Sequence, residues 1–142
     1  IFTRGVAVIV PAVNAETTAA AKLSAYIRAH IGFVAANRSA AVAMLELVSG
    51  YRDADGLRVD QAAAKAVAEH PPTGDLAALD PQAIFVEGLE SGEFRELSTL
   101  FMKNILRGAL DSAAQEYARD PDYDVIAHGE VLVEIFEKAT AP

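Results

Sequence analysis

The run Phe85-Val86-Glu87-Gly88-Leu89-Glu90-Ser91-Gly92-Glu93-Phe94-Arg95 constrains the fold more than any other part of the chain. It reads as the end of one helix, a stop at Gly92, and a short acidic-aromatic step toward the next. Glycine suits that stop because it takes the left-handed C-terminal conformation without a Cβ clash. Upstream, Asp80-Pro81 is a start signal, an N-cap followed by proline at the first helical position. Only six prolines punctuate the chain and alanine is abundant, which favours helices over strands.

The rest of the chain divides the same way. Residues 1–10 read as a helix that Pro11 ends or kinks, because proline lacks an N–H and clashes with the preceding turn. Asn14 is the expected N-cap of a long helix reaching about Arg38, with Glu16 near its positive end. Leu23, Ile27, Ile31 and Val34 form one stripe of that helix and Tyr26, His30 and Phe33 a second, so it is expected to be largely buried. Ser39 is the expected cap of the next helix. Val42, Met44, Leu45, Leu47 and Val48 fall on nearly every side of it, which suggests the domain centre. Asp53-Ala54-Asp55-Gly56 is a turn by composition, residues 60–69 a short helix and residues 70–74 a loop. Three more helices follow: one from Asp80 to Gly92, one from about Leu97 to Arg119, and one over residues 123–139 after the break at Asp120-Pro121-Asp122. No fixed-period repeat or sustained heptad is present. The expected fold is all-α, one domain over residues 1–142, a bundle of about six helices.

Composition limits the function classes. With 52% hydrophobic and 23% charged residues, a packed core is expected. The net charge is −8, and the twelve basic residues stand singly among acidic ones, so this chain offers no surface to neutralise nucleic-acid phosphates. Absence of cysteine excludes disulfides and thiolate metal sites and fits a cytoplasmic location. No apolar run is long enough to span a bilayer. Residues 5–13 are apolar, but a single basic flank, Arg4, is a poor match to a signal peptide. The chain opens on Ile1, so its start is expected to lie inside a longer polypeptide or to have been removed.

The pattern E-G-x-x-S-G-E-F-R before a long apolar helix resembles the C-terminal ligand-binding and dimerisation domain of TetR-family transcriptional regulators. Three other stretches strengthen the likeness. The segment from Ala21 to Val34, with Arg38, looks like the long second helix of that regulatory domain. Leu106-Arg107-Gly108-Ala109-Leu110-Asp111 looks like the step in its penultimate helix, and Asp120-Pro121-Asp122 precedes a closing amphipathic helix as in the family. Residues 53–75 match nothing in it. The resemblance implies a homodimeric one-component repressor that binds a small-molecule effector. It also implies a DNA-reading helix-turn-helix domain, expected upstream of residue 1 because this chain contains none.

Enzyme chemistry finds no foothold in the sequence. Glu-x-x-His ligand spacing, a G-x-S-x-G elbow and a Gly-Lys-Ser/Thr phosphate loop are all missing, and no metal or cofactor is expected. His30, on an apolar face, is either a satisfied core histidine or a polar contact in a cavity wall. Phe33, Met44, Phe85, Phe101 and Met102 are core by default and otherwise, with Ile105, the walls of an effector pocket. His30, Tyr51 and Asn104 are its polar anchors, Asn104 being otherwise a surface residue. Such a pocket suits a neutral, partly hydrophobic molecule. The last two helices are apolar on more sides than one core uses. Gly108, Ala109, Leu110, Ala113, Gly129, Leu132 and Phe136 are therefore expected in a two-fold, four-helix interface. Their alternative place is beneath the loop over residues 71–79. The alternative function is a ligand-free helical dimerisation or interaction domain.

Overall fold

Local start and stop chemistry sets most of the helix boundaries. The computed structural model describes residues 2–50, 52–70 and 73–142, apart from the side chains of Phe2, Thr3, Met44, Val48, Ser49, Val59, Asp60, Ala64 and Asp75. In chain order the elements are α1 (Phe2–Asn14), α2 (Ala19–Ala36), α3 (Arg38–Gly50), α4 (Val59–Glu69), a 3-10 turn (Gly74–Leu79), α5 (Pro81–Ser91), α6 (Thr99–Arg119) and α7 (Val125–Thr140). The fold is all-α, with no strand among the described residues. Asp80 caps α5 through Gln82 N–H, Ser98 caps α6 through Phe101 N–H, and Asp124 caps α7 through Ala127 N–H. Gly92 ends α5 with φ of 79°, the left-handed conformation anticipated there. Asp53 closes its turn by accepting from the N–H groups of Asp55 and Leu57, with Gly56 at φ of 77°.

Three boundaries differ from expectation. Pro11 lies inside α1, which continues to Asn14. Pro11 and Ala7, whose carbonyl loses its partner, are both exposed, so water can satisfy that oxygen. Asn14 therefore belongs to α1, and Thr18 caps α2 by accepting from Ala21 N–H at 3.2 Å. At the next junction α3 starts at Arg38, before Ser39. Asn37 closes α2, donating its side-chain amide to Phe33 O at 2.9 Å, while its own carbonyl accepts from Ala41 N–H.

The bundle is organised around α2, which packs against α1, α3, α5, α6 and α7. Its two apolar stripes explain this: Leu23, Ile27, Ile31, Val34 and Tyr26 are all buried. A fully buried side chain of this size contributes about 1.5–3 kcal/mol. The centre expected at α3 is thus one helix earlier. α3 lies at the edge against α6, α2 and α4, and its Leu47 is exposed. Arg38 ties this edge down. Its guanidinium donates to Tyr117 O (2.9 Å) and Ala118 O (2.6 Å) at the end of α6 and lies over the Tyr117 ring, whose hydroxyl donates to Ala35 O.

Candidate functional site

The residues expected to wall an effector pocket separate in the fold. Phe85 has no exposed surface and packs between Phe94 and Phe136, with ring centroids 6.1 and 6.4 Å away. It is a core residue. Phe101 and Ile105 are 66% and 59% exposed, and Asn104 is exposed beside them on the outer side of α6. These three lie on the solvent side of α6, whose buried side carries Met102, Leu106, Leu110 and Ala113. His30 and Phe33 are half-buried on α2, Phe33 near Gly5 of α1. Burial, and then the Arg107 guanidinium, pushes the His30 pKa down. The Tyr26 ring lies 6.2 Å from the imidazole, and burial raises the pKa of that phenol. Tyr51 and the Met44 side chain lie outside the described residues.

Most residues chosen for the dimer interface are interior within one chain. Leu110, Ala113, Leu132 and Phe136 are buried. Gly129 is buried against α2, where an added Cβ would stand 2.9 Å from Ile31 Cγ2. Ala109 is half-buried, and Gly108 alone of the seven is exposed. Exposed apolar residues on α6 and α7 do exist, and apart from Gly108 they are not the expected interface residues. On α6 the outward stripe runs Phe101, Ile105, Gly108, Ser112 and Gln115, and on α7 it runs Ala127, Val131, Ile135 and Lys138. Val131 and Ile135 are each 52% exposed. The two helices also pack against each other.

A groove of about 690 Å³ opens elsewhere, at the α1–α2 corner. Its walls are the first turns of α2, the step after Gly92, and the end of α7. Glu93 builds this corner. Its carboxylate accepts from Ala19 N–H (3.0 Å), Ala20 N–H (3.3 Å) and the Ser91 hydroxyl (2.8 Å), so it caps α2 from more than seventy residues away. The Ser91 hydroxyl first, then Ala19 N–H, holds the Glu93 carboxyl below the usual carboxylate range. Behind this corner Arg95, outside the groove lining, fixes the end of α7, donating from its backbone N–H to Thr140 O and from Nε to Ala139 O. Sequence reasoning missed this site. The only hint was an acidic residue directly after a helix-ending glycine, and nothing local revealed which helix it would reach.

Among the described residues no group of three or more His, Asp or Glu side chains is placed to hold a metal. No described helix is long and apolar enough to cross a membrane. No family model matches the chain, and neither the curated proteins nor the solved structures contain a match to it.

Proposed function

We propose that this chain is the regulatory and dimerisation domain of a TetR-like one-component repressor, acting in the cytoplasm. DNA would be read by a helix-turn-helix domain preceding residue 1. The observation that carries the proposal is the pair of outward stripes on α6 and α7. Phe101, Ile105, Val131 and Ile135 leave large apolar side chains in water, and Gly108, about one turn after Ile105 on α6, leaves room for close helix approach. Two-fold pairing of such faces makes a four-helix interface. A small apolar effector, seated near His30 and Phe33 on α2, would shift the population between two dimer geometries. It does so only if it binds one of them more tightly. The DNA-reading heads match adjacent major grooves in one geometry alone. Light scattering at micromolar concentration should give a dimer, and Ile105→Glu or Ile135→Glu a folded monomer with unchanged helical circular dichroism. A monomeric parent protein would overturn the proposal.

The close packing of Phe85 between Phe94 and Phe136 favours a second reading, a dimerisation domain that holds no ligand. A thermal-shift screen of apolar compounds separates the two. A true effector at about a hundredfold its Kd adds roughly 2.7 kcal/mol of stability.

A further inference from the structure

The groove at the α1–α2 corner is not used by either reading of the function. Its volume of about 690 Å³ falls within the range of small-molecule sites. Leu23 and Phe94, both nearly buried, form an apolar floor. The charged groups around that floor are one-sided. Glu16, Glu93 and Glu137 line the groove, and Arg28 is the one cation in its lining. Arg28 is already engaged, because its Nε and Nη2 donate to the two carboxylate oxygens of Glu130 at 2.9 and 3.1 Å. Glu93 is committed to capping α2. Glu137 accepts a single long hydrogen bond, 3.3 Å from the Ser24 hydroxyl. The exposed Glu16 side chain makes no hydrogen bond or ion pair among the described residues.

We propose that this groove binds a small amphipathic organic cation, an ammonium head on an aromatic or alkyl body. The body lies along Ala21 and Ala25 beside Leu23 and Phe94, and the head sits between the carboxylates of Glu16 and Glu137. An anion of the same shape meets a predominantly acidic rim, whose one cation, Arg28, is held by Glu130. A neutral analogue gains the floor but not the rim. The proposal is independent of whether the chain dimerises or regulates transcription.

The test is a titration of the whole chain, followed by methyl NMR at neutral pH, with three probes: 2-phenylethylammonium, 2-phenylethanol and phenylacetate. The ammonium should perturb the methyl groups of Leu23, Ala21 and Ala25 and bind about fivefold tighter than the alcohol, the scale expected for two partly exposed ion pairs. Phenylacetate should bind most weakly. Glu16→Gln with Glu137→Gln should reduce the ammonium's affinity to that of the alcohol and leave the alcohol's unchanged. If Glu137→Gln perturbs the fold, Glu16→Gln alone, at an exposed corner, should still weaken the ammonium about twofold. Equal affinity for ammonium and alcohol, shifts confined to other helices, indifference to the substitutions, or no binding at millimolar concentration would each overturn the proposal.

Discussion

Gly88→Ala sets two effects of opposite sign against each other. Gly88 is an interior position of α5, and replacing glycine by alanine within a helix stabilises by about 1 kcal/mol through backbone entropy. The added methyl, however, would fall well inside van der Waals contact with Cγ, Cδ2 and Cε2 of Phe94. That ring cannot simply slide away. It is 5% exposed, lies against Phe85, and its backbone N–H is bonded to Gly88 O at 3.0 Å. Forcing it out costs up to the value of a buried phenylalanine, about 3–5 kcal/mol. The net loss is therefore about 2–4 kcal/mol, a fall in Tm of about 7–14 °C for a domain of this size. Calorimetry or circular dichroism melting of Gly88→Ala should show that fall. In a Phe94→Ala background the same substitution should become mildly stabilising, because only the propensity term remains. A Tm for Gly88→Ala equal to or above that of the parent would refute the packing argument.

Three further outcomes are expected. Glu93→Gln should lower stability at neutral pH and flatten the acid limb of the stability–pH profile in chemical denaturation. The folded carboxyl titrates below its unfolded value, so its contribution is present above that value and lost as pH falls through the folded one. His30→Gln should remove a loss of stability that the parent shows as pH falls below 6.5. The imidazole, depressed by burial and Arg107, must be protonated against the fold there, and NMR titration of its ring protons would show the direction directly. Arg38→Ala should cost about 1.5–3 kcal/mol by removing charged hydrogen bonds to the Tyr117 and Ala118 carbonyls, and Arg38→Lys should restore only part of it, measured by urea unfolding.

Where a boundary depends on one residue and its immediate neighbours, the sequence was readable. Asp80-Pro81, Gly92 and the Asp53–Gly56 turn stand where their chemistry puts them. Pro11 was harder, because whether proline stops a helix depends on whether water reaches the carbonyl one turn back. Thr18 and Asn14 are both competent caps, and the choice between them was not local. The expected site residues are dispersed in the fold for a geometric reason. That α6 and α7 carry apolar residues on two sides was legible, but a shift of one residue turns a side chain through about 100°. Phe101 and Ile105 thus went to the surface, and Leu110 and Phe136 to the core. Glu93 was invisible as a cap because its partners, Ala19 and Ala20, lie far off in sequence.

The central place of α2 has a consequence for the chain as it is made. One side of this helix is covered by α1, made just before it, but another side waits for the far end: Ser24 meets Glu137, 113 residues later, and Ile31 lies against Gly129. At about 5–20 residues per second of synthesis, the apolar stripes of α2 wait roughly 5–20 s before α7 exists to cover them. The side of α2 that faces α7 is an uncovered apolar surface throughout that interval. Truncation anywhere before α7 leaves that side of α2 permanently bare, which makes shortened products of this chain natural clients for chaperones and proteases rather than smaller folded domains.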